Sequence, residues 1–185
     1  MKKFELTTNT KMFLGKKLFQ IKALISFGDV EVGELGGYIE KEENLDYDGD
    51  AWVSGDACVS GDARVYGNAC VSGDARVYGN ACVSGDARVY GDARVYGNAR
   101  VYGNACVSGD ACYTTIKGFG REYRTTTFFK CKDGKVRVRC GCFYGDLKKF
   151  RAIVKETHGE SKKAKEYLMI ADLMELHFEE NENDK

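Results

Sequence analysis

From Val53 to Cys112 the chain reads VSGDAC VSGDAR VYGNAC VSGDAR VYGNAC VSGDAR VYGDAR VYGNAR VYGNAC VSGDAC, ten hexapeptides in succession with no insertion or deletion. Within each unit Ala, the Cys or Arg after it, the next Val and the Ser or Tyr that follows alternate apolar and polar. That is the period-2 pattern of a short strand with one buried face. Gly-Asp or Gly-Asn then interrupts the strand. Gly enters the left-handed backbone region without a Cβ penalty, and Asp and Asn bond their own backbone, so every sixth residue supplies a corner. A strand this short buries too little by itself, and stability must come from coil stacked on coil, as in a solenoid.

The number of corners per coil follows from charge. Two hexads would close a flat coil, and the alternation at 65–76 and 77–88 suits it. That coil stacks Arg64, Arg76, Arg88 and Arg100 in one column at the strand spacing of about 4.8 Å, where like charges directly opposite destabilise. Three hexads instead give the columns Cys58/Arg76/Arg94/Cys112, Arg64/Cys82/Arg100 and Cys70/Arg88/Cys106, in which only Arg76 and Arg94 are like-charged neighbours. The triangular, 18-residue coil is therefore expected. It carries an unbroken column of Asp56, Asp74, Asp92 and Asp110, read as a solvated corner in preference to a cation ladder.

With its aliphatic first and small fifth residue, the hexad resembles the repeat of left-handed parallel β-helices, the fold of many acyltransferases and of γ-type carbonic anhydrases. The flanks narrow the likeness. The leader Met1-Lys-Lys-Phe-Glu-Leu-Thr, Gly36-Gly-Tyr-Ile-Glu-Lys-Glu-Glu-Asn-Leu, and the tail segments Cys140-Gly-Cys-Phe-Tyr-Gly-Asp, Glu156-Thr-His-Gly, Lys165-Glu-Tyr-Leu and Leu176-His-Phe resemble hexapeptide-repeat proteins of phages and prophages in Gram-positive bacteria. The resemblance implies a mainly β fold and a phage origin, and it carries no catalytic residue. The expected architecture is a left-handed three-sided parallel β-helix of four to five coils over 35–116, with an N-terminal β cap at 1–34 and a C-terminal α+β cap at 117–185.

In the N-terminal cap, Phe4 to Thr8 and Met12 to Leu24 read as strands around a polar turn at Asn9-Thr10-Lys11, with a second turn at Gly15-Lys16-Lys17. Gly28-Asp29, Gly33-Glu34 and Gly36-Gly37 read as a loop. Extending the hexad frame backwards puts Leu35, Ile39, Leu45, Tyr47 and Ala51 at inward positions of a degenerate first coil, and sets Trp52, the single Trp, against the cap. After Cys112 the frame dissolves. Thr125 to Cys131 and Lys135 to Phe143 read as strands joined by a turn at Lys132-Asp-Gly-Lys. Asp146 is an N-cap for a helix with Leu147, Phe150, Ile153 and Val154 on its apolar stripe, ending at His158-Gly159. A second helix runs from about Ser161 to Phe178 with Ala164, Tyr167, Leu168, Ala171 and Met174 on one face. This unit is expected to cover the end of the β-helix, whose unpaired backbone would otherwise invite edge-to-edge association.

Composition bounds the rest. No stretch approaches the roughly 18 apolar residues of a membrane span, and Met1 to Thr10 lacks the apolar core of a signal peptide, so no membrane partner is expected and the location is expected to be intracellular, which the resemblance to phage proteins implies is the bacterial host cytoplasm. The eight Cys then read as reduced thiols. Net charge is zero, yet 113–165 holds 15 Lys and Arg against five Asp and Glu, a local excess of ten.

Acyl transfer on this fold uses a His on a coil as general base, a group that titrates near neutrality beside the substrate. The repeats contain no His, and His158 and His177 fall at helix ends. A degenerate acyltransferase is thus a minor alternative, and an assembly protein is another. The same missing His excludes a three-imidazole metal site; Cys131, Cys140 and Cys142 with His158 lack the usual knuckle spacing for zinc and read as buried small residues. No cofactor is expected. The basic segment interleaves Arg121, Arg124, Arg137 and Arg139 with aromatics, the combination that grips an anionic ligand; nucleic acid is the less favoured form of it. Outward Tyr66, Tyr78, Tyr96 and Tyr102 form the second candidate group, an interface for a homodimer or homotrimer. The expected function is a non-catalytic binding protein that engages or sequesters a host protein or an anionic small molecule.

Overall fold

The computed structural model describes residues 2–109, 112–119 and 125–179. It is mainly β. Strands β1 (Phe4–Phe13), β2 (Lys16–Ala23) and β3 (Leu35–Ile39) lead into ten two-residue strands, one per hexad: β4 (Trp52–Val53), β5 (Cys58–Val59), β6 (Arg64–Val65), β7 (Cys70–Val71), β8 (Arg76–Val77), β9 (Cys82–Val83), β10 (Arg88–Val89), β11 (Arg94–Val95), β12 (Arg100–Val101) and β13 (Cys106–Val107). These stack as a parallel β-solenoid of about four turns, in three ladders ordered β3-β5-β8-β11, β4-β7-β10-β13 and β6-β9-β12. From β4 onward each strand residue pairs with the one 18 positions on, as in Cys58↔Arg76, Arg64↔Cys82 and Cys70↔Arg88, whereas β3 pairs with β5 two residues further along, as in Tyr38↔Cys58. The columns expected from charge are observed as far as Arg94, Arg100 and Cys106, while Cys112 lies beyond the last paired strand of its ladder; Arg76↔Arg94 is the like-charged pair.

The alternation explains the interior. From Val53 to Val107 every repeat Ala and Val is fully buried. At the corners Gly55 through Gly103 take φ between 62° and 72°, a region open to Gly and strained for other residues. Corner amides also stack from coil to coil, Asn68 Nδ2 donating to Asp86 Oδ1 at 3.0 Å and Asn80 Nδ2 to Asn98 Oδ1 at 3.3 Å.

The β1–β2 hairpin continues the first ladder antiparallel through β3. The second expected turn, at Gly15-Lys16-Lys17, falls one residue earlier, and there is no turn at Asn9-Thr10-Lys11. The register shifts there, between Leu6 and Thr10, and β1 runs on as a bulged strand to a two-residue turn at Leu14-Gly15. Nor are Gly36 and Gly37 in a loop: they lie inside β3, where a Cβ on Gly36 would stand 2.5 Å from both Ile21 and the Val53 carbonyl. Leu35 is outward, 56 % exposed, because Phe4, Ile21 and Ala23 of the hairpin fill the core beneath the first coil in its place. Ile39, Leu45 and Ala51 are buried as expected. Trp52 is buried edge-on against Phe27, 5.4 Å between ring centres.

At this end the first coil presents carbonyls with no coil beyond to bind them. Lys3 Nζ donates to Gly49 O and Ala51 O at 3.1 and 3.0 Å, and Asn44 Nδ2 to Gly61 O and Ala63 O at 3.0 and 2.8 Å. Backbone N–H groups of Tyr38, Glu40 and Asp46 bind Ala57, Val59 and Val65. A buried acceptor left unpaired costs about 1–3 kcal/mol, so these donors hold the end of the solenoid together.

Beyond the repeats, β14 (Tyr113–Ile116), β15 (Thr126–Lys130), β16 (Val136–Cys140) and β17 (Phe143–Asp146) form an antiparallel sheet, followed by α1 (Leu147–His158) and α2 (Lys162–Phe178). β14 and β17 were not expected. β15 is buried on both faces: Phe129 joins the solenoid core with Tyr113 and Cys131, while Phe128 joins a second core with Phe150, Val154, Ala171 and Met174. Thr127 Oγ1 accepts from Arg100 N at 3.0 Å, and Tyr113 Oη donates to Arg94 O at 2.5 Å, tying the sheet to the last coil. The helices begin where the caps predict, Asp146 accepting from Lys149 N and Ser161 from Ala164 N. Ile153 is 37 % exposed, at the rim of its stripe. Among the described residues no helix is long and apolar enough to cross a membrane.

Candidate functional site

The basic strand comes first. Arg121 and Arg124 lie outside the described residues. Arg137 and Arg139 share the face of β16 that pairs across to Phe129 and Thr127, the face turned to the solenoid. Both are engaged within the chain. Arg137 Nη2 donates to Asp133 Oδ2 at 2.6 Å, and its Nη1 is buried with no hydrogen-bond partner among the described residues. Arg139 donates to Cys142 O at 3.3 Å and lies over the Tyr102 ring at 5.0 Å, with Tyr144 edge-on to Tyr102 at 5.3 Å. The Arg139 guanidinium ties the sheet to the coil beneath, whereas the Arg137 ion pair lies within the β15–β16 hairpin.

The tyrosines separate onto two ladders. Tyr66 and Tyr102 flank the fully covered Ser84 on the β6-β9-β12 ladder, and Tyr102 is overlaid by Arg139. Tyr78 and Tyr96 stack ring on ring over the β8-β11 rung, 5.3 Å apart and within 10° of parallel. Phe13, from the hairpin tip, meets Tyr78 edge-on at 5.8 Å, and Arg76 sits 5.3 Å over the Phe13 ring. Beside this stack the tip exposes Met12 at 66 % and Leu14 at 68 %. Leu14 has φ +49°, the one described non-Gly residue with positive φ. A two-residue hairpin of this geometry favours Asn or Asp before Gly, and a Leu there costs about 1–2 kcal/mol. The tip therefore combines an exposed apolar side chain with backbone strain, next to Tyr and Arg, residue types enriched at interface cores. The apolar run Met12-Phe13-Leu14 ahead of the turn expected at Gly15 was the sequence signal for it, obscured by the extra turn expected at Asn9-Thr10-Lys11.

Of the residues weighed for metal, Cys140, Cys142 and His158 line one cavity of about 330 Å³ together with Phe143, Phe150 and Tyr167, and His158 stacks on Tyr167 at 5.9 Å. Cys131 lies elsewhere, at the solenoid end, its thiol raised to about 11 chiefly by burial. Cys142 is exposed and Cys140 half-buried, so only Cys131 is a buried small residue as expected. Among the described residues no three His, Cys, Asp or Glu side chains gather as a metal site. The Asp56 end of the corner column is bound by Lys11 at 3.3 Å; Asp110 lies outside the described residues.

With this geometry in place, comparison with protein families matches 57–73, 63–79, 69–85, 75–91 and 87–99 to the YdcK beta solenoid repeat. The match supports a β-solenoid repeat over 57–99. Every matched stretch falls within the hexads that form β5 to β12. Comparison with curated proteins gives no match.

Proposed function

We propose that this chain is a non-catalytic binding protein, a left-handed three-sided β-helix capped at both ends, that engages a host protein through the aromatic patch at the hairpin tip. The observation that carries the reading is the continuous run Leu14, Met12, Phe13, Tyr78 and Tyr96 with Arg76, in which a strained turn holds an apolar side chain in solvent. The likeness of its flanks to phage and prophage proteins supports a phage origin and a site of action in the bacterial cytoplasm. Burying a Leu side chain is worth about 1.5–3 kcal/mol, and two thirds of Leu14 is available. Its loss should weaken binding by about tenfold or more.

The test is capture from host lysate, followed by titration of the purified captured protein against wild type, Leu14→Asn and Tyr96→Ser. Unchanged affinity in both variants would move the docking site elsewhere. Self-association is the second reading, favoured by Tyr66 and Tyr102 on a separate ladder. Sedimentation of wild type against Tyr66→Ser separates the two, because the tip variants leave that ladder intact. An anionic ligand at Arg121, Arg124, Arg137 and Arg139 stands as a third proposal and predicts affinity that falls steeply with salt.

A further inference from the structure

Helix α2 is apolar on two opposite faces. One of them, with Ala164, Ile170, Ala171, Met174 and Phe178, is buried against α1 and the sheet. The other carries Met169, Leu173 and Leu176, which are 71, 54 and 66 % exposed and recur at the i, i+4, i+7 spacing of a single stripe. Apolar residues on both sides of a helix mark one that is enclosed on both. The charges of α2 also run against its own dipole. Lys162 and Lys163 stand in the first turn, where there is no acid, and Glu175 and Glu179 stand at the end, where His177 is the one basic residue; the macrodipole disfavours that sense. Part of this charge is met inside the chain: Lys162 lies 3.8 Å from Glu166, and Arg151 binds Asp172 and Glu175 at 2.8 and 2.6 Å. Lys165 and Glu179 flank the stripe on one side at its two ends, and among the described residues neither forms an ion pair.

We propose that α2 pairs antiparallel with α2 of a second copy of this chain, about a twofold axis beside Leu173. The stripe sets the register. With the axis there, Leu173 meets its own copy, Met169 of each chain meets Leu176 of the other, and Lys165 reaches Glu179. On the far flank Glu166 reaches His177. Lys165 and Glu179 lie seven residues before and after Asp172, about 10 Å at 1.5 Å per residue, so one axis serves the apolar and the charged layers alike. Charge decides the orientation. A parallel pair would set Lys165, Asp172 and Glu179 each against its own copy, whereas the antiparallel pair leaves that contact only at Asp172, whose carboxylate Arg151 already binds. The antiparallel pair also lays the acidic end of each helix along the lysines of the other, which relieves both dipoles. The stripe shares no residue with the hairpin patch or with the Tyr66 and Tyr102 ladder, and the proposal stands independently of both.

Sedimentation of the whole chain across a concentration series reads the association. The expected result is a reversible monomer–dimer equilibrium that Leu173→Lys abolishes and Tyr66→Ser leaves unchanged. Lys165→Glu and Glu179→Lys should each weaken it about tenfold, because both symmetry-related charge pairs turn from attraction to repulsion. An equimolar mixture of these two variants should recover the wild-type association, since each supplies the charge that the other needs. All three substituted side chains are exposed, and the two charge reversals suit the dipole of α2, so far-UV circular dichroism should show helices at least as stable as in the wild type. A wild-type chain that stays monomeric up to about 1 mM, dimerisation that survives Leu173→Lys, or a mixture that associates no more tightly than its components overturns the proposal.

Discussion

A pair of corner glycines separates the two jobs that Gly performs in each coil. Gly97 has φ +66° and nothing within 4 Å of where a Cβ would stand, so Gly97→Ala tests backbone strain alone. Holding Ala in the left-handed region costs about 1–2 kcal/mol, offset by about 0.4–1 kcal/mol from the stiffer unfolded chain, for a net loss of about 1 kcal/mol. Gly85 has nearly the same φ, +72°, yet its Cβ would lie 2.9 Å from Gly103 N and 3.1 Å from Gly103 Cα. Those atoms are backbone and cannot rotate aside. Relief requires the coils to part beside the rung bond Ser84 N to Val101 O, now 3.0 Å, and overpacking of this kind costs about 1–3 kcal/mol more. Gly85→Ala should therefore lose about 2–4 kcal/mol. Urea unfolding followed by far-UV circular dichroism measures both variants on one scale. Equal losses, or a larger loss at Gly97, would refute the stacking argument.

Lys3→Met strips the donors from Gly49 O and Ala51 O and should cost about 2 kcal/mol, with Trp52 emission changing ahead of the repeat signal; a change of under 0.5 kcal/mol would mean that other donors serve those carbonyls. Acid should open the same end first. Lys2 and the Tyr47 hydroxyl hold Glu42 below the ordinary carboxylate range, and at Glu40 partial burial works the other way but is outweighed by Lys16 and the Gly61 N–H. Their folded pKa values lie below the unfolded ones, so their stabilisation is complete above the ordinary carboxylate pKa and is lost as pH falls through the folded values. Trp52 emission should then change at higher pH than the circular dichroism of the coils; coincident transitions would count against it. Burial acts in the opposite sense on Lys3, lowering its pKa against the pull of Asp46, Asp50 and Asp48, and stability should rise as pH climbs from that lowered value towards 10.5. Mild oxidation should give no disulfide ladder among Cys58, Cys70 and Cys82, since their neighbours along each ladder are Arg, Trp or Tyr; peptide mapping would detect one.

The hexads were legible because every coil repeats one local rule and its tertiary partner lies at a fixed offset. Like-charge avoidance among Arg64, Arg76, Arg88 and Arg100 was enough to select that offset. The flanks obey no such rule. Leu35 fits the inward frame, but Ile21 arrives from a hairpin and takes the space. β14 and β17 hold four residues each, too few for an alternation to emerge, and the last residue of β17, Asp146, doubles as the cap of α1. The Arg137 and Arg139 face was readable from their spacing, whereas their engagement by Asp133, Cys142 and Tyr102 depends on how the sheet meets the last coil. The hairpin patch shares this character, since it joins residues far apart in sequence.

The pairing of each residue with the one 18 positions on makes length a quantised property of this molecule. A change of three hexads lengthens or shortens the stack by one rung and returns every column to its own ladder. A change of one hexad alters stability little, yet it moves each later column to the next ladder and turns the C-terminal unit by about a third of a revolution relative to the hairpin. Arg139 would then have to find its ring on a different side. Variation in repeat number should therefore be tolerated by the fold in steps of one hexad but by the surface chemistry only in steps of three.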